Sequence, residues 1–123
     1  MHNGKHWIHY SDGEVIVREG EVGDRMFIIL SGKVRVSRML NGRPVRLPEL
    51  KSGDLFGELA IINREVRSAT VSAVGNVQLL SIDKESFFQH VYEDPSLAYP
   101  VLHRMSEKIR ELNAELSQLR GYS

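Results

Sequence analysis

The sequence predicts a mostly β protein with C-terminal helices, of the α+β class, and three patterns support this prediction. Short β-branched runs separated by turn residues recur about every ten positions from Ser11 to Arg38, which is typical of a small antiparallel sandwich or barrel. Asn41-Gly42 lies between two such runs and is a strong hairpin signal, because both residues tolerate positive φ. After Asp83 the alternation is replaced by helical periodicity.

Length, charge and composition limit the class of protein. The 123 residues, with 41% hydrophobic and 26% charged content, predict one folded domain. Sixteen basic residues balance sixteen acidic ones, so no overall charge attracts the chain to nucleic acid or to an anionic membrane. The sequence has no cysteine and no apolar run long enough for a membrane span or a signal peptide. We therefore expect a soluble cytoplasmic protein with neither nucleic acid nor membrane as a partner.

The predicted hairpin sets a register for its two strands. Pairing outward from Asn41-Gly42 places Val36 opposite Leu47, so that apolar partners share one face. Pro44 and Pro48 cannot donate to a ladder, which makes the returning strand an edge of the sheet. The other predicted strands are short and separate, at residues 14–17, 26–30, 53–56, 70–74 and 77–82, and the run at 33–37 is the strand that leads into the hairpin.

The hairpin region is strongly basic. Between Lys33 and Lys51 there are six basic residues and one acidic residue. A single-stranded nucleic acid would need aromatic side chains interleaved with these charges as stacking platforms, and the segment has none. We therefore favour a solvated face over a binding role for this hairpin.

Two groups of histidines are candidate metal sites, and the sequence favours neither. His2, His6 and His9 lie near the N-terminus, but no Asp, Glu or Cys at ligand spacing accompanies them. A metal-dependent barrel enzyme would need histidines and an acid that converge in the strand region, whereas His90 and His103 lie in the helical part. We assign no metal, no cofactor and no catalytic residue, and we expect residues 1–10 to be a lead-in to the first strand.

The C-terminal part is predicted to contain two helices. Asp83 is placed to cap a helix over residues 84–93, Asp94-Pro95 ends it, and Ser96 is placed to cap the next helix. This divides the chain into a domain at 11–94 and a helix at 95–123. In the last helix apolar residues recur at steps of three and four, a heptad seam that favours a homodimer over packing on its own domain. The seam consists of Leu102, Met105, Ile109, Leu112, Leu116 and Leu119, and the charged residues Glu107, Lys108, Glu111 and Glu115 flank it.

The densest cluster of polar chemistry lies between residues 56 and 70. Glu58 follows Gly57 in a short predicted helix, and Arg67 comes nine positions later, followed by the small residues Ser68 and Ala69. A guanidinium beside helix N–H groups suits a phosphate, and a carboxylate accepts hydrogen bonds from sugar hydroxyls. An Arg67–Glu58 salt bridge without any ligand is nearly as well supported by the spacing alone. The small residues on both sides favour a ligand pocket, because a salt bridge does not need them.

From about Asp12 to Leu119 the sequence resembles a cyclic nucleotide-binding domain, the β-roll regulatory module of cyclic-nucleotide-dependent kinases, channels and catabolite-activator-type transcription factors. The residues that carry the resemblance are Phe56-Gly57-Glu58-Leu59-Ala60, then six residues, then Arg67-Ser68-Ala69-Thr70, which match the family's phosphate-binding cassette. Residues 20–24 and 27–32 are similar to its early strands and turns. The resemblance implies an antiparallel, jelly-roll-like β-roll with a short phosphate-binding helix and a long C-terminal helix.

The resemblance also implies ligand-binding roles. Arg67, the Ser68 hydroxyl and the Ala69 amide would hold the cyclic phosphate, and Glu58 would accept the ribose 2′-OH. Asn113 falls about where the family's long helix meets the base, so it is a candidate for recognising adenine, and an exposed polar residue beside the seam is an equal alternative. The backbone of Gly57 and Leu59 would close the rim.

Together these features predict a non-catalytic regulatory module that binds a cyclic nucleotide, with cAMP favoured over cGMP. A hinge near Asp94-Pro95 would let the last helix move when the ligand binds. The sequence departs from the family at Val66, where a proline is frequent, and it has no helix-turn-helix, so we expect an effector domain without its effector. The alternative is a roll of the same fold that acts as a dimerisation or docking module, or as a sensor, with no cyclic nucleotide.

Overall fold

The computed structural model of the chain describes residues 5–58 and 65–119, apart from the side chains of residues 65, 115, 117 and 119. It confirms the predicted class, because long antiparallel strands precede two C-terminal helices. The strands are β1 (Lys5–Tyr10), β2 (Val15–Val17), β3 (Val22–Gly23), β4 (Arg25–Leu40), β5 (Arg43–Lys51), β6 (Leu55–Phe56), β7 (Glu65–Val66) and β8 (Thr70–Asp83). The helices are α1 (Lys84–Glu93), a 3-10 turn (Pro95–Leu97) and α2 (Ala98–Leu119).

One main sheet carries most of the described strands. Its order is β1-β8-β4-β5, with β2 also paired to β8 and β6 also paired to β4, while β3 and β7 form a separate two-stranded sheet. The predicted hairpin register is confirmed, because Val36 pairs with Leu47. The strand β5, which contains Pro44 and Pro48, lies at the end of the strand order, as its prolines predicted.

Two predicted strand breaks are wrong. The runs at 26–30 and 33–37 belong to the continuous strand β4, and those at 70–74 and 77–82 belong to β8. Gly32 and Gly75 do adopt positive φ, of 89° and 69°, but the chain absorbs them as irregularities within the ladder. The pairing shifts near Ser31 and then continues, so these glycines mark a bend within the strands and do not end them.

The predicted lead-in is a strand in its own right over residues 5–10. β1 pairs with β8 from Lys5 opposite Ile82 to Tyr10 opposite Val77. Because successive side chains of a strand point to opposite faces, His6 and His9 face away from each other. This geometry does not favour a shared metal site, and His2 lies outside the described residues.

The core has two parts, one on each face of β4. Phe27 and Ile29 point into the roll, whereas Met26 points to the other face and packs with Phe87 and Val101 of the two helices. This alternation is what a strand with two buried faces requires. The inner cluster consists of Phe27, Ile29, Val34, Phe56, Val71, Ala73, Val77 and Leu79.

Of the two predicted helix N-caps, the first is confirmed and the second is wrong. The carboxylate of Asp83 accepts a hydrogen bond from the Ser86 N–H at 2.8 Å, as predicted. The prediction that Ser96 caps the following helix is wrong, because Ser96 lies inside the 3-10 turn that precedes α2, and Asp94 caps that turn by accepting from both the N–H and the hydroxyl of Ser96. Asp94 has extended backbone, which places its carboxylate over the first turn, and Pro95 fits the first helical position.

No helix in the described part of the chain is long and apolar enough to cross a membrane.

The bend in the ladder yields a stability prediction from two glycine substitutions. A Cβ on Gly32 would clash with the backbone carbonyl oxygen of Asn76, whereas a Cβ on Gly75 would meet nothing within 4 Å. Both positions have positive φ, so Gly75→Ala should lower the free energy of unfolding by about 1–2 kcal/mol. Gly32→Ala should lower it by a further ~1–3 kcal/mol, because the backbone carbonyl cannot move aside cheaply. Urea denaturation of both variants measures the difference, and equal losses would contradict the proposed close approach.

Candidate functional site

A cleft of about 880 Å³ lies between the roll, the cassette and helix α2. Apolar side chains of the roll, among them Val36, Leu47 and Val71, line one wall, and charged residues of α2 line the other. Of the seven predicted site residues, the cleft brings together Gly57, Glu58, Arg67, Ser68 and Ala69.

The two remaining predicted residues are not placed in the cleft. Leu59 lies outside the described residues, as does most of the short helix predicted at 57–62. Asn113 is exposed on α2 and does not line the cleft, although its neighbour Leu112 does. The role predicted for Asn113 therefore remains a prediction.

The Arg67 guanidinium occupies a slot between two glycines. A Cβ on Gly57 would lie 2.7 Å from Arg67 Nη1, and a Cβ on Gly23 would overlap the guanidinium itself. On a third side the guanidinium lies over the Phe27 ring, 5.8 Å from its centroid, and Arg67 Nη2 donates to the Arg25 carbonyl oxygen at 2.9 Å. Glycine is therefore needed at both positions for this arginine to lie where it does.

The backbone of Arg67 is held by the segment that precedes β3. The Gly20 N–H donates to the Arg67 carbonyl at 2.9 Å, and the Arg67 N–H donates to the Glu21 carbonyl at 2.8 Å. The ladder continues where Val22 pairs with Val66. Residues 20–24 thus provide the structural support of Arg67 in the cassette.

The electrostatics of Arg67 favour an anion in the cleft. Burial lowers the pKa of the Arg67 guanidinium below its ordinary value, and the nearby carboxylates of Asp24 and Glu58 oppose that change. Desolvation disfavours the charged form, so a bound anion would offset a cost that the free protein carries.

Glu58 forms its ion pair with a residue that the spacing argument missed. Its side chain is only 3% exposed, and Glu58 Oε1 lies 3.9 Å from Arg104 Nε on α2. The pairing with Arg67 that the sequence left open is thus replaced by pairing with Arg104. The buried Nε of Arg104 has no hydrogen-bond partner among the described residues, because 3.9 Å is too long for a hydrogen bond.

A second contact joins α2 to the cassette, because Lys108 Nζ lies 3.4 Å from the hydroxyl oxygen of Ser68. Within α2 itself, Arg104 Nη1 lies 3.8 Å from Glu111 Oε1. Lys108 and Glu111 were expected to flank a dimer seam, yet both line the cleft. Residues 104, 108 and 111 recur at steps of four and three, so one helix face carries them, and this periodicity was the signal available in the sequence.

The described residues contain no group of three or more His, Cys, Asp or Glu side chains that could hold a metal ion.

Comparisons with known proteins agree on one family. A family model described as "Cyclic nucleotide-binding domain" matches residues 7–94. The cGMP-dependent protein kinase egl-4 of Caenorhabditis elegans is 37% identical over 108 residues, which cover 84% of this chain and 14% of the kinase.

Two solved structures are similar across most of the chain. The catabolite activator protein of Thermus thermophilus has a TM-score of 0.84 and 30% identity, over 94% of this chain and 55% of that one. The regulatory domain of Toxoplasma gondii PKA, crystallised with cAMP, has a TM-score of 0.69 and 31% identity, over 88% of this chain and 40% of that one. The likeness confirms the predicted β-roll. The chain spans only 14% to 55% of the length of these three relatives.

The Glu58–Arg104 pair can be tested by a double-mutant cycle. Arg104→Met should destabilise the protein by about 3–5 kcal/mol, because it leaves the Glu58 carboxylate buried without its cation. In a Glu58→Gln background the same change should cost less, with a coupling energy of about 0.5–3 kcal/mol. Urea denaturation of the four proteins measures this coupling.

Arg110→Met on the exposed side of α2 is the matched control for that cycle. Its effect should add to that of Glu58→Gln within about 0.5 kcal/mol. Equal coupling for Arg104 and Arg110 would show that the contact with Glu58 is not specific.

Proposed function

This chain belongs to the cyclic nucleotide-binding domain family, and from that membership we propose that its cleft binds the phosphate and ribose of a cyclic nucleotide. The family is a ligand-binding one, and its domain is itself non-catalytic. Residues 7–94, which match the family model, include the whole cassette from Phe56 to Thr70.

The observation that carries the proposal is the incomplete polar contact between Glu58 and Arg104. A carboxylate oxygen that only accepts and an Nε–H that only donates lie 3.9 Å apart in a buried place. One hydroxyl group both donates and accepts, and its oxygen would lie about 2.8 Å from each of these atoms once the Arg104 side chain swings aside to admit it, because the buried Nε is not exposed to a group of that size. The ribose 2′-OH has this chemistry, so we assign it to the position between Glu58 and Arg104.

The phosphate is assigned to the other end of the cassette. Arg67 uses one N–H for the Arg25 carbonyl and has further donors for an anion. Ser68 contributes a hydroxyl, Ala69 an amide, and Lys108 a second positive charge within 3.4 Å of the Ser68 hydroxyl oxygen. Two cations and two neutral donors line the same cleft, and together they fit a singly charged cyclic phosphate.

The preference between adenine and guanine is also part of the proposal, with cAMP favoured. A side-chain amide can meet the N6 and N7 edge of adenine with two hydrogen bonds, and Asn113 is the candidate. Asn113 lies outside the cleft beside Leu112, so α2 would have to shift for it to reach the base. The Toxoplasma domain was crystallised with cAMP, whereas the C. elegans kinase is named for cGMP, so relatives of both kinds exist.

Ligand binding would be coupled to the position of α2, because the roll and α2 each supply part of the polar groups in the cleft. The roll supplies Glu58 and Ser68, and α2 supplies Arg104 and Lys108. A ligand that contacts both parts binds more tightly when α2 is docked, and this difference in affinity shifts the population of α2 positions. The bend at Asp94, between α1 and the 3-10 turn, is the hinge we propose.

The exposed side of α2 supports a homodimer through the predicted seam. Leu102, Ile109, Leu112 and Leu116 are 61%, 59%, 51% and 48% exposed, which is unusual for apolar residues at regular helical spacing. Met105 differs, because it packs against the core beneath the helix, and the side chain of Leu119 lies outside the description. A second copy of α2 would cover the exposed positions, as in a coiled coil.

Isothermal titration tests the ligand. We expect cAMP to bind the unmodified chain more tightly than cGMP, and Arg67→Ala to weaken cAMP binding by about 100-fold, because about two charge-assisted hydrogen bonds of ~1.5 kcal/mol each are lost. Arg110→Ala removes an equal charge from the exposed side of α2 and should leave the affinity unchanged. Absence of heat with both nucleotides would refute the proposal, and tighter binding of cGMP would refute the cAMP preference.

Sedimentation velocity tests the dimer. The unmodified chain should sediment as a dimer, and Ile109→Glu with Leu116→Glu should produce a monomer, since charges would replace the apolar contact between helices. Met39→Glu with Leu40→Glu, at similarly exposed apolar positions on the β4–β5 hairpin, is the control and should leave the dimer intact. A monomer in the unmodified chain, with and without cAMP, would exclude the seam as an interface.

A further inference from the structure

The outward face of the β4–β5 hairpin gathers positive charge on one side of the roll. Lys33 and Arg35 of β4 and Arg46 and Lys51 of β5 all point outward and are exposed, and we call this set the basic face. The segment that contains it holds six of the sixteen basic residues of the chain and one of the sixteen acidic residues. A chain with no net charge is thus strongly polarised at this place.

The basic face is arranged at a cost to stability. Lys33 lies directly opposite Lys51 in the ladder, and like charges in directly opposed positions destabilise an antiparallel pair. One acid relieves this repulsion in part, because Glu49 Oε1 lies 3.9 Å from Lys33 Nζ. A face that served solubility alone would do as well with charges of both signs interspersed.

An exposed apolar residue lies at the hairpin end of the same face. Met39 pairs with Pro44, points outward like Arg35, and is 52% exposed. Its N–H donates to the Glu19 carboxylate at 2.9 Å, which ties the hairpin end to the body of the roll. The backbone of the hairpin end is therefore held in place, which lowers the cost of ordering it when a partner binds.

We infer that the basic face and Met39 together dock an acidic, extended segment of a protein partner, whose carboxylates pair with the cations and whose apolar side chain contacts Met39. Arginine and methionine are enriched in protein–protein interfaces, and the guanidinium fork pairs with carboxylate in a bidentate way. Strands β4 and β5 present their charges in two rows, which an extended chain can follow.

Two other polyanions fit this surface less well. A single-stranded nucleic acid needs aromatic stacking platforms, and residues 33–51 contain no aromatic residue. A membrane-docking hairpin places its cations around an inserted apolar tip. Arg38 and Arg43 do flank Met39 and Leu40 at the tip, but the basic face continues along the strands as far as Lys33, about 20 Å from Met39 by the rise per residue, where a tip inserted in a membrane would not use it.

Fluorescence anisotropy with labelled peptides tests the inference on the full chain. One peptide consists of alternating glutamate and serine residues. The second has the same sequence with a leucine added at one end. Arg35→Glu with Arg46→Glu should weaken both by about tenfold or more, because attraction becomes repulsion. Lys84→Glu with Arg110→Glu changes the net charge equally on the helical side and should leave both affinities within about twofold. Met39→Ser should weaken the leucine peptide alone.

Several results would overturn the inference. One is equal peptide binding by the Arg35/Arg46 and Lys84/Arg110 variants, and another is no binding of either peptide by the unmodified chain. A third is that oligothymidine or phosphatidylserine vesicles bind through the same residues more tightly than the peptides do. Thermal melting followed by circular dichroism checks that each variant folds, and Arg35→Gln with Arg46→Gln replaces the charge reversal if it does not. Nucleotide binding is not used as a readout, so the outcome is independent of the function proposed for the cleft.

Discussion

The antiparallel ladder between β4 and β8 must bend for the rest of the molecule to form. Thr70 pairs with Ser37 near one end of the ladder, and Arg67 lies only three residues before Thr70. Yet the side chain of Arg67 donates to the carbonyl of Arg25, at the opposite end of β4. A straight strand would separate Ser37 from Arg25 by about 40 Å, far beyond the reach of one side chain. The positive-φ glycines at 32 and 75 occupy the region where the ladder is irregular, and this curvature closes the roll around the cassette.

Closing the roll buries charges, and the cleft shows how these charges are accommodated. Glu58 is almost fully buried, and burial lowers the pKa of Arg67, so both groups carry a desolvation cost. Each is partly compensated by a neighbour, Arg104 for Glu58 and the Arg25 carbonyl for Arg67, and the Arg104 Nε lacks a hydrogen bond. Such a partly satisfied polar network is costly in a protein that only has to be stable, and it is suited to a ligand that supplies the missing partner.

Helix α2 has different chemistry on two sides. Towards the cleft it carries Arg104 and Lys108, and on its exposed side it carries Ile109 and Leu116. Because one rigid helix bears both sets, a displacement that changes the contact with Glu58 also changes how the apolar side is presented. Ligand binding and helix pairing would then be linked, each affecting the other by the same free energy.

Much of this protein was predictable from the sequence where the controlling interactions are local or periodic. Alternation and the Asn41-Gly42 turn predicted the pairing of Val36 with Leu47, and Asp83 was recognised as a helix cap from its neighbours alone. The cassette was recognised because its small residues, acid and arginine are close together along the chain. Five of its predicted residues do line one cleft.

The sequence by itself therefore determined the class, the register of the hairpin and the residue types of the site. Only the tertiary structure decided that strands bend through their glycines instead of ending, that Arg104 and not Arg67 pairs with Glu58, and that Arg67 reaches the start of β4. The physical reason is the same in each case. Each outcome depends on which segments, distant in the sequence, come into contact when both faces of β4 are buried. No local pattern of residues encodes those contacts.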